Sequence, residues 1–315
     1  MKKIVIIGVY FGKFPLNYDL WLKSTKYNPT IDFKIFTDQK LISDQKNLEY
    51  IKMTLEEFNI LMQKKIGEKY IINHAYKCCD YKPVYGIILE DYIQKYDFWG
   101  HCDFDMIFGD LRKYFTEELL REYDKILPLG HLSLYRNTHS VNNRYKDDGS
   151  LCGNYDNVFS SNLNYAFDET SGIAQIYYKN NYPFYDKRIF ADISIIHKRF
   201  TCAMGDRNYK YQIFYWEKGG TYRDYYENGI IKKEEFIYIH FKQRKYLTIM
   251  CDAEKCNSFY ICDKGFIEKS RSTTLSDIKK YNNYRGFLNE YFELLSYRIK
   301  KIFIGIKCKL FGRGK

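Results

Sequence analysis

The sequence predicts an α/β protein: an open, mostly parallel, twisted sheet flanked by helices, with a basic amphipathic helix at the C-terminal end. Three observations carry that prediction. Apolar, β-branched runs alternate with helix-like segments through the first hundred or so residues, an order that favours parallel pairing with crossover helices. An aromatic run, Tyr96-Asp97-Phe98-Trp99-Gly100-His101-Cys102, reads as a buried strand and ends in two acids, Asp103 and Asp105. From Arg298 onward come Lys300, Lys301, Lys307, Lys309, Arg313 and Lys315, with no acid among them.

In chain order, residues 3–10 form a buried first strand running into an aromatic-glycine loop. Residues 17–27 read as a helix stopped by Asn28-Pro29. Residues 33–36 give a second strand ending at Thr37-Asp38, and residues 48–52 a third. Thr54 and Glu57 make a capping-box pair that opens a helix to Lys65. Open sheets of this kind hold ligands outside the carboxyl ends of their strands. The loops after residues 10, 36 and 102 should therefore share one crevice, with Tyr10, Gly12, Thr37, Asp38, Asp103 and Asp105 in it. Residues 71–95 carry Val84, Ile87, Ile88 and Tyr92 at helical spacing, with Pro83 in the first turn. Lys77 and Lys82 flank that helix start, either as phosphate contacts or as solvated lysines.

Residues 125–129 and 131–135 read as further strands, and residues 137–157, rich in Asn, Asp and Gly, as a long surface loop: a lid or a plain insertion. Asp168 and Glu169 precede a short helix at 173–181, which either of them is placed to cap. Residues 211–216 and 221–226 suggest a hairpin around Lys218-Gly219-Gly220. Residues 236–241 give another strand, ending at His240 with Lys242, Arg244 and Lys245 beyond it. Residues 250–266 read as small strands. A polar linker at 270–276 separates a catalytic region, 1–268, from a tail, 269–315. In the tail Ile299, Ile302, Phe303, Ile306 and Leu310 fall on one helical face, the pattern of a membrane-surface anchor or of a helix docked on its own core.

The chemistry concentrates at Asp103-Phe104-Asp105. Alternation along the strand sends both acids off the same side. Two carboxylates that close need a counter-charge, which a hard divalent cation supplies; the plain alternative is two solvated acids capping local turns. Asp110 reads as the N-cap of the following helix.

Composition bounds the rest. The 315 residues, 45% apolar, suit one large α/β domain with an appendage or two modest domains. Met1-Lys2-Lys3 runs straight into an apolar strand, so no signal peptide is expected, and no apolar stretch reaches a membrane-spanning length. Nine cysteines, odd in number and scattered, match neither a disulfide framework nor a zinc knuckle and point to a reducing cytoplasm. The net charge of +11 calls for an anionic partner: nucleic acid, acidic lipid or a phosphorylated substrate. The 33 tyrosines and 23 phenylalanines suit sugar stacking, but they rise together with Lys, Ile and Asn and carry no weight alone.

The run YDFWGHCDFDMIFGDLRKYF resembles the central motif of a bacterial family of D-x-D glycosyltransferases, of GT-A type, from surface-polysaccharide gene clusters. The resemblance continues through IVIIGVYFGKFP at the start, FKIFTD at 33–38, YKCCDYKPVYG at 76–86, GHLSLYRN at 130–137, FDETSGI at 167–173 and EEFIYIHFKQRK at 234–245. It implies a GT-A-like fold and a nucleotide-sugar transferase, which the cysteine usage and the basic tail would place in the cytoplasm at the inner membrane face. That enzyme would move a sugar from a nucleotide diphosphate donor, uridine by default, to a saccharide or lipid-linked acceptor. It further implies Mn²⁺ or Mg²⁺ at Asp103, Asp105 and His240, where the alternative for His240 is a packed core histidine. Donor contacts follow at Tyr10, Gly12, Thr37, Asp38, Asp80, Lys82, Asp103, Lys242 and Arg244. Asp168 or Glu169 falls where a general base would sit. Two other readings compete. Haloacid-dehalogenase-type phosphatases also place Asp-x-Asp after an apolar strand, but on the chain's first strand and with Thr or Val where Ile107 stands. A basic nucleic-acid-binding protein would account for the charge, yet no nucleic-acid motif is present and the charge gathers in the tail.

Overall fold

The computed structural model describes residues 1–203, 206–242, 247–282 and 284–299. Arg244 and the tail residues Lys300, Lys301, Ile302, Phe303, Ile306, Lys307, Lys309, Leu310, Arg313 and Lys315 lie outside the described residues. The chain divides into two units, Met1–Met106 with Asp110–Ile189, and Ile107–Gly109 with Phe190–Lys315. No described helix is long and apolar enough to cross a membrane.

The strands, in chain order, are β1 (Ile4–Tyr10), β2 (Asp32–Thr37), β3 (Leu48–Lys52), β4 (Phe98–Cys102), β5 (Met106–Phe108), β6 (Lys125–Ile126), β7 (Leu132–Arg136) and β8 (Phe184–Tyr185). They continue as β9 (Ala191–Asp192), β10 (Gln212–Glu217), β11 (Gly220–Glu227), β12 (Ile230–Phe236), β13 (Tyr238–His240), β14 (Thr248–Met250), β15 (Ser258–Cys262) and β16 (Gly265–Glu268).

The first unit holds an open seven-stranded sheet in the order β3-β2-β1-β4-β7-β6-β8. Four of its pairings, β1 with β2, β2 with β3, β1 with β4 and β6 with β8, are parallel, and β7 runs antiparallel to β4 and β6. β1 and β4 are central, which explains why β1 is apolar along its length and why every residue of β4, His101 included, is buried. Alternation puts Val5, Ile7, Phe36 and Trp99 on one face, in a core shared with Phe58, Met62, Val84, Tyr85 and Ile88. Gly86 lets that layer close: a Cβ there would stand 2.5 Å from the Trp99 ring. On the opposite face Trp21, from the helix Tyr18–Lys26, meets Phe33 at a ring separation of 5.9 Å.

Residues 75–93 are not one helix. Short turns, Cys78–Tyr81, Lys82–Val84, Tyr85–Ile88 and Glu90–Ile93, follow one another. Pro83 has no N–H for the helical ladder, and the chain passes it in a 3₁₀ turn. Residues 137–157 also differ from the expected surface loop. Thr138 caps a helix, His139–Asn143, whose Val141 and Asn142 are buried, and Asn142 accepts the Trp99 indole N–H at 2.7 Å. Tertiary packing there overrides a polar, loop-like composition.

The second unit contains a six-stranded sheet, β12-β11-β10-β15-β16-β14, and a three-stranded sheet, β5-β13-β9. β10, β11 and β12 form an antiparallel meander. Both of its turns carry two residues at positive φ, Lys218 (46°) with Gly219 (90°) and Asn228 (52°) with Gly229 (85°). That is the turn type whose twist matches a hairpin. Thr274 and Asp277 form a capping box at the start of helix Leu275–Tyr281, and its Ile278 is buried against Ile213, Tyr215 and Tyr260. Residues 290–299 are helical.

Candidate active site

In the first unit β4 delivers Asp103 to the carboxyl end of the sheet, where its amide donates to the His131 carbonyl at 3.0 Å. Phe104 turns inward and is buried. Its ring lies 4.9–5.9 Å from those of Tyr10, Phe14, Tyr18 and Trp21. Gly8 of β1 makes room for it, since a Cβ there would come 2.5 Å from Phe104 Cζ. The backbone of the turn is pinned as well: Asn17 donates to the Phe104 carbonyl at 2.7 Å and the Trp21 indole to the Asp103 carbonyl at 3.2 Å. With Phe104 as anchor, Asp103 and Asp105 stay half-buried. A carboxylate oxygen of one lies within 4.8 Å of a carboxylate oxygen of the other.

Lys82 is the counter-charge within this unit. Its ammonium donates to Asp103 at 2.6 Å, to Asp168 at 3.0 Å and to the Gly130 carbonyl at 3.0 Å. Burial opposes its charge, but Asp103 and Asp168 outweigh burial and hold its pKa well above the lysine range. Asp168 is deeper, with a side chain only 5% exposed against 31% for Asp103. One lysine between two acids leaves a negative charge over, and the deeper acid accommodates it less well. Burial, opposed by Lys82 and helped by Glu169 and Asp103, pushes the Asp168 pKa up to about 7. Gly130 permits this packing, because a Cβ there would meet Asp168 Oδ2 at 2.2 Å. Lys125, also wholly buried, donates to Ser133 at 2.9 Å; burial brings its pKa down to about 7, against the pull of Glu169 and Asp168. The helix Ile173–Lys179 starts at Gly172 with no side-chain cap, so neither Asp168 nor Glu169 caps it.

The other expected donor contacts are placed as follows. Asp38 accepts from the Gly12 amide at 3.0 and 3.1 Å and so ties the loop after β1 to the loop after β2. Gly12 needs its φ of +96° for that approach. Tyr10 stacks on Phe14 at 4.9 Å. Thr37 is buried, its hydroxyl accepting from the Gln39 amide at 3.3 Å. Asp80 is wholly buried. Its carboxylate accepts from Lys77 at 2.7 Å and from the amides of Tyr165 and Phe167 at 3.0 and 2.9 Å. Asp80 and Lys77 thus hold the segment leading into Asp168 and present no surface to a ligand.

In the second unit the parallel pairing of β13 with β9 sets His240 opposite Asp192. His240 Nδ1 and Asp192 Oδ1 are 2.9 Å apart, and Lys242 reaches Asp192 Oδ2 at 3.2 Å. Burial would raise the Asp192 pKa, but His240 and Lys242 together hold it below the usual carboxylate range. With Nδ1–H donated to the carboxylate, the imidazole lone pair is on Nε2, the arrangement common behind metal-ligating histidines.

Sequence reasoning missed Asp192, Lys125 and the two clamps Asn17 and Trp21. Asp192 lies 48 positions from His240, and only strand pairing joins them. Gly130, inside a quoted segment, carried a signal that became legible once Asp168 was seen beside it.

The residues present fit a divalent cation by donor chemistry: two adjacent hard carboxylates in one unit, and in the other a histidine oriented by a buried acid. No curated protein matches the chain. Among solved structures it is similar to the galactosyltransferase LgtC in complex with donor and acceptor sugar analogues, at 12% identity, covering 60% of this chain and 75% of that one, with a TM-score of 0.35. It is also similar to the apo form of the glycosyltransferase GlyE of Streptococcus pneumoniae TIGR4, at 12% identity and a TM-score of 0.35, over 60% of this chain and 46% of that one. At that level neither likeness assigns an activity. The family described as family of unknown function (DUF6625) matches residues 6–270, and the chain belongs to it.

Proposed function

We propose that the protein is a metal-dependent glycosyltransferase that takes a sugar from a nucleotide diphosphate donor, with uridine the first base to try, and passes it to a saccharide or lipid-linked acceptor. The observation that carries this reading is the Asp103–Lys82–Asp168 cluster at the carboxyl end of a mostly parallel sheet, with Asp105 beside it. Asp103 and Asp105, with His240 oriented by Asp192, would hold Mn²⁺ or Mg²⁺. Such an ion, when bound, supplies Lewis acidity to the diphosphate as charge develops on it.

The chain's own groups do the remaining work. Lys82, and Lys242 with Arg244, lie next to the proposed ligands in space or in sequence and supply positive charge to the leaving nucleoside diphosphate. Tyr10 and Asp38 close the nucleoside end, where the Asp38–Gly12 bond fixes the loop. Asp168 is the favoured general base over Glu169. A carboxyl group that titrates near 7 can take the acceptor hydroxyl proton as the new C–O bond forms and the sugar–phosphate bond breaks, with the electron pair leaving on the phosphate. The experiment is turnover with a panel of nucleotide sugars, with Mn²⁺, with Mg²⁺ and with a chelator. Metal-dependent release of nucleoside diphosphate supports the reading; phosphate release from simple phosphomonoesters instead would favour a phosphatase.

A further inference from the structure

The second unit contains a cleft of about 460 Å³ lined by residues of the β10–β12 meander, by Asn257 and Ser258, and by residues 269–273. Its volume is in the range of small-ligand sites. The cleft is lined by five cations, Lys218, Lys232, Lys233, Lys269 and Arg271, and by two acids, Glu217 and Asp224. Both acids are engaged. Lys269, its side chain only 5% exposed, donates to Glu217 at 2.8 Å, and the Tyr215 hydroxyl donates to Asp224 at 3.0 Å. Lys232 and Arg271 are matched by acids outside the lining, Glu227 at 2.8 Å and Asp277 at 3.0 Å.

With Asp224 set opposite Lys233 in the β11–β12 register, the five cations outnumber the four acids by one, and Lys218 carries that excess. Lys218 is exposed at the apex of the first hairpin turn. Lys233 is exposed, with its ammonium over the Tyr222 ring at 4.6 Å and the Tyr215 ring at 5.6 Å. The rest of the wall is uncharged: Asn257, Ser258, Ser270, Ser272 and Thr273 with Tyr215 and Ile231, the Ser258 hydroxyl donating to the Trp216 carbonyl at 3.1 Å. Cations beside hydroxyl and amide groups suit a ligand that is itself a polyol bearing an anion.

We propose that this cleft binds an acidic saccharide, a sugar unit or short chain carrying a carboxylate or a phosphate, with Lys218 and Lys233 meeting the charge and the Ser/Thr/Asn wall the hydroxyls. The anionic character stands on the cleft alone; its use for a growing saccharide rests on the transferase reading above.

Calorimetry on the full chain at low salt would use three probes: a galacturonate trimer, glucose 6-phosphate and maltotriose. At least one anionic probe should bind, and the neutral trisaccharide should not. The double variant K218E/K233E should weaken that binding by about tenfold or more; both side chains are exposed, and K218Q/K233Q serves as a milder pair if the reversal perturbs folding. The trimer alone would assign a carboxylate ligand, the sugar phosphate alone a phosphate ligand. Binding by neither anion, equal binding of maltotriose, or affinities unchanged in both double variants would overturn the proposal. Uridine diphosphate with Mn²⁺, titrated into the same proteins, separates the two ideas. Anionic saccharide binding in a wild-type chain that shows no Mn²⁺-dependent uridine diphosphate binding leaves the cleft standing by itself. Donor turnover without any saccharide binding sinks the cleft alone.

Discussion

Lys82 carries two buried obligations at once, to Asp103 and to Asp168. Removing one partner of a buried ion pair costs about 3–5 kcal/mol, and the partial exposure of Asp103 puts Lys82→Met at the lower end. Adding Asp168→Asn should recover part of the loss, which urea unfolding of the single and double variants would read. Asp168 also gives stability a pH slope. Its folded pKa of about 7 is above the ordinary carboxyl value, so between roughly pH 4 and 7 the folded state binds more protons than the unfolded one. The Asp168 contribution to stability therefore falls as pH rises through that window, by about 1.4 kcal/mol per pH unit at most, and levels off above it. Asp168→Asn should flatten the slope; identical slopes in the two proteins would remove the shifted carboxyl from the account. At Asp192 the expected effect is on ligand orientation. Asp192→Ala should weaken Mn²⁺-dependent nucleotide binding about 10–100-fold, while Asp192→Asn, which keeps an acceptor for His240, should restore much of it.

At the scale of the element, the D-x-D turn is a consequence of β1 as much as of β4. Gly8→Ala would drive a methyl to 2.5 Å from Phe104. Overpacking of this kind costs about 1–3 kcal/mol, and the displaced ring should take nucleotide binding with it more than global stability. Thermal unfolding and uridine diphosphate titration on the same variant would show whether the two losses separate. The strands of this sheet are legible in the sequence: β1 is an apolar, β-branched run, β4 an aromatic one, and β2 and β3 short strands with Lys34 and Glu49 among apolar residues; the glycine hairpin of β10 and β11 is legible from Lys218-Gly219. The segments around Pro83 and at 137–157 are not, because their structure comes from partners distant in sequence, such as Asn142 beneath Trp99. The site followed the same rule. Asp103, Asp105 and Lys82 were named from sequence and the structure joins Lys82 to Asp103. Asp80, expected as a donor contact from the family resemblance, is buried because Lys77 and two amides of a later segment converge on it.

For the whole molecule, the net charge of +11 and the cations after Arg298 motivate a reversible association with anionic membranes. Removal of residues 298–315 should release the protein from acidic vesicles in a flotation assay without abolishing nucleotide binding. Vesicle binding that is equal with and without those residues would end the anchor idea. The central claim is that Asp103 and Asp105 hold a divalent cation beneath a nucleoside diphosphate. Its most direct measurement is calorimetric titration of uridine diphosphate, with Mn²⁺ and with chelator, into the wild-type chain, Asp103→Ala and Asp105→Ala. The account predicts binding to the wild type only when Mn²⁺ is present, and its loss in Asp105→Ala with the fold retained. Equal affinity with and without Mn²⁺, or an Asp105→Ala protein that binds as the wild type does, would contradict it.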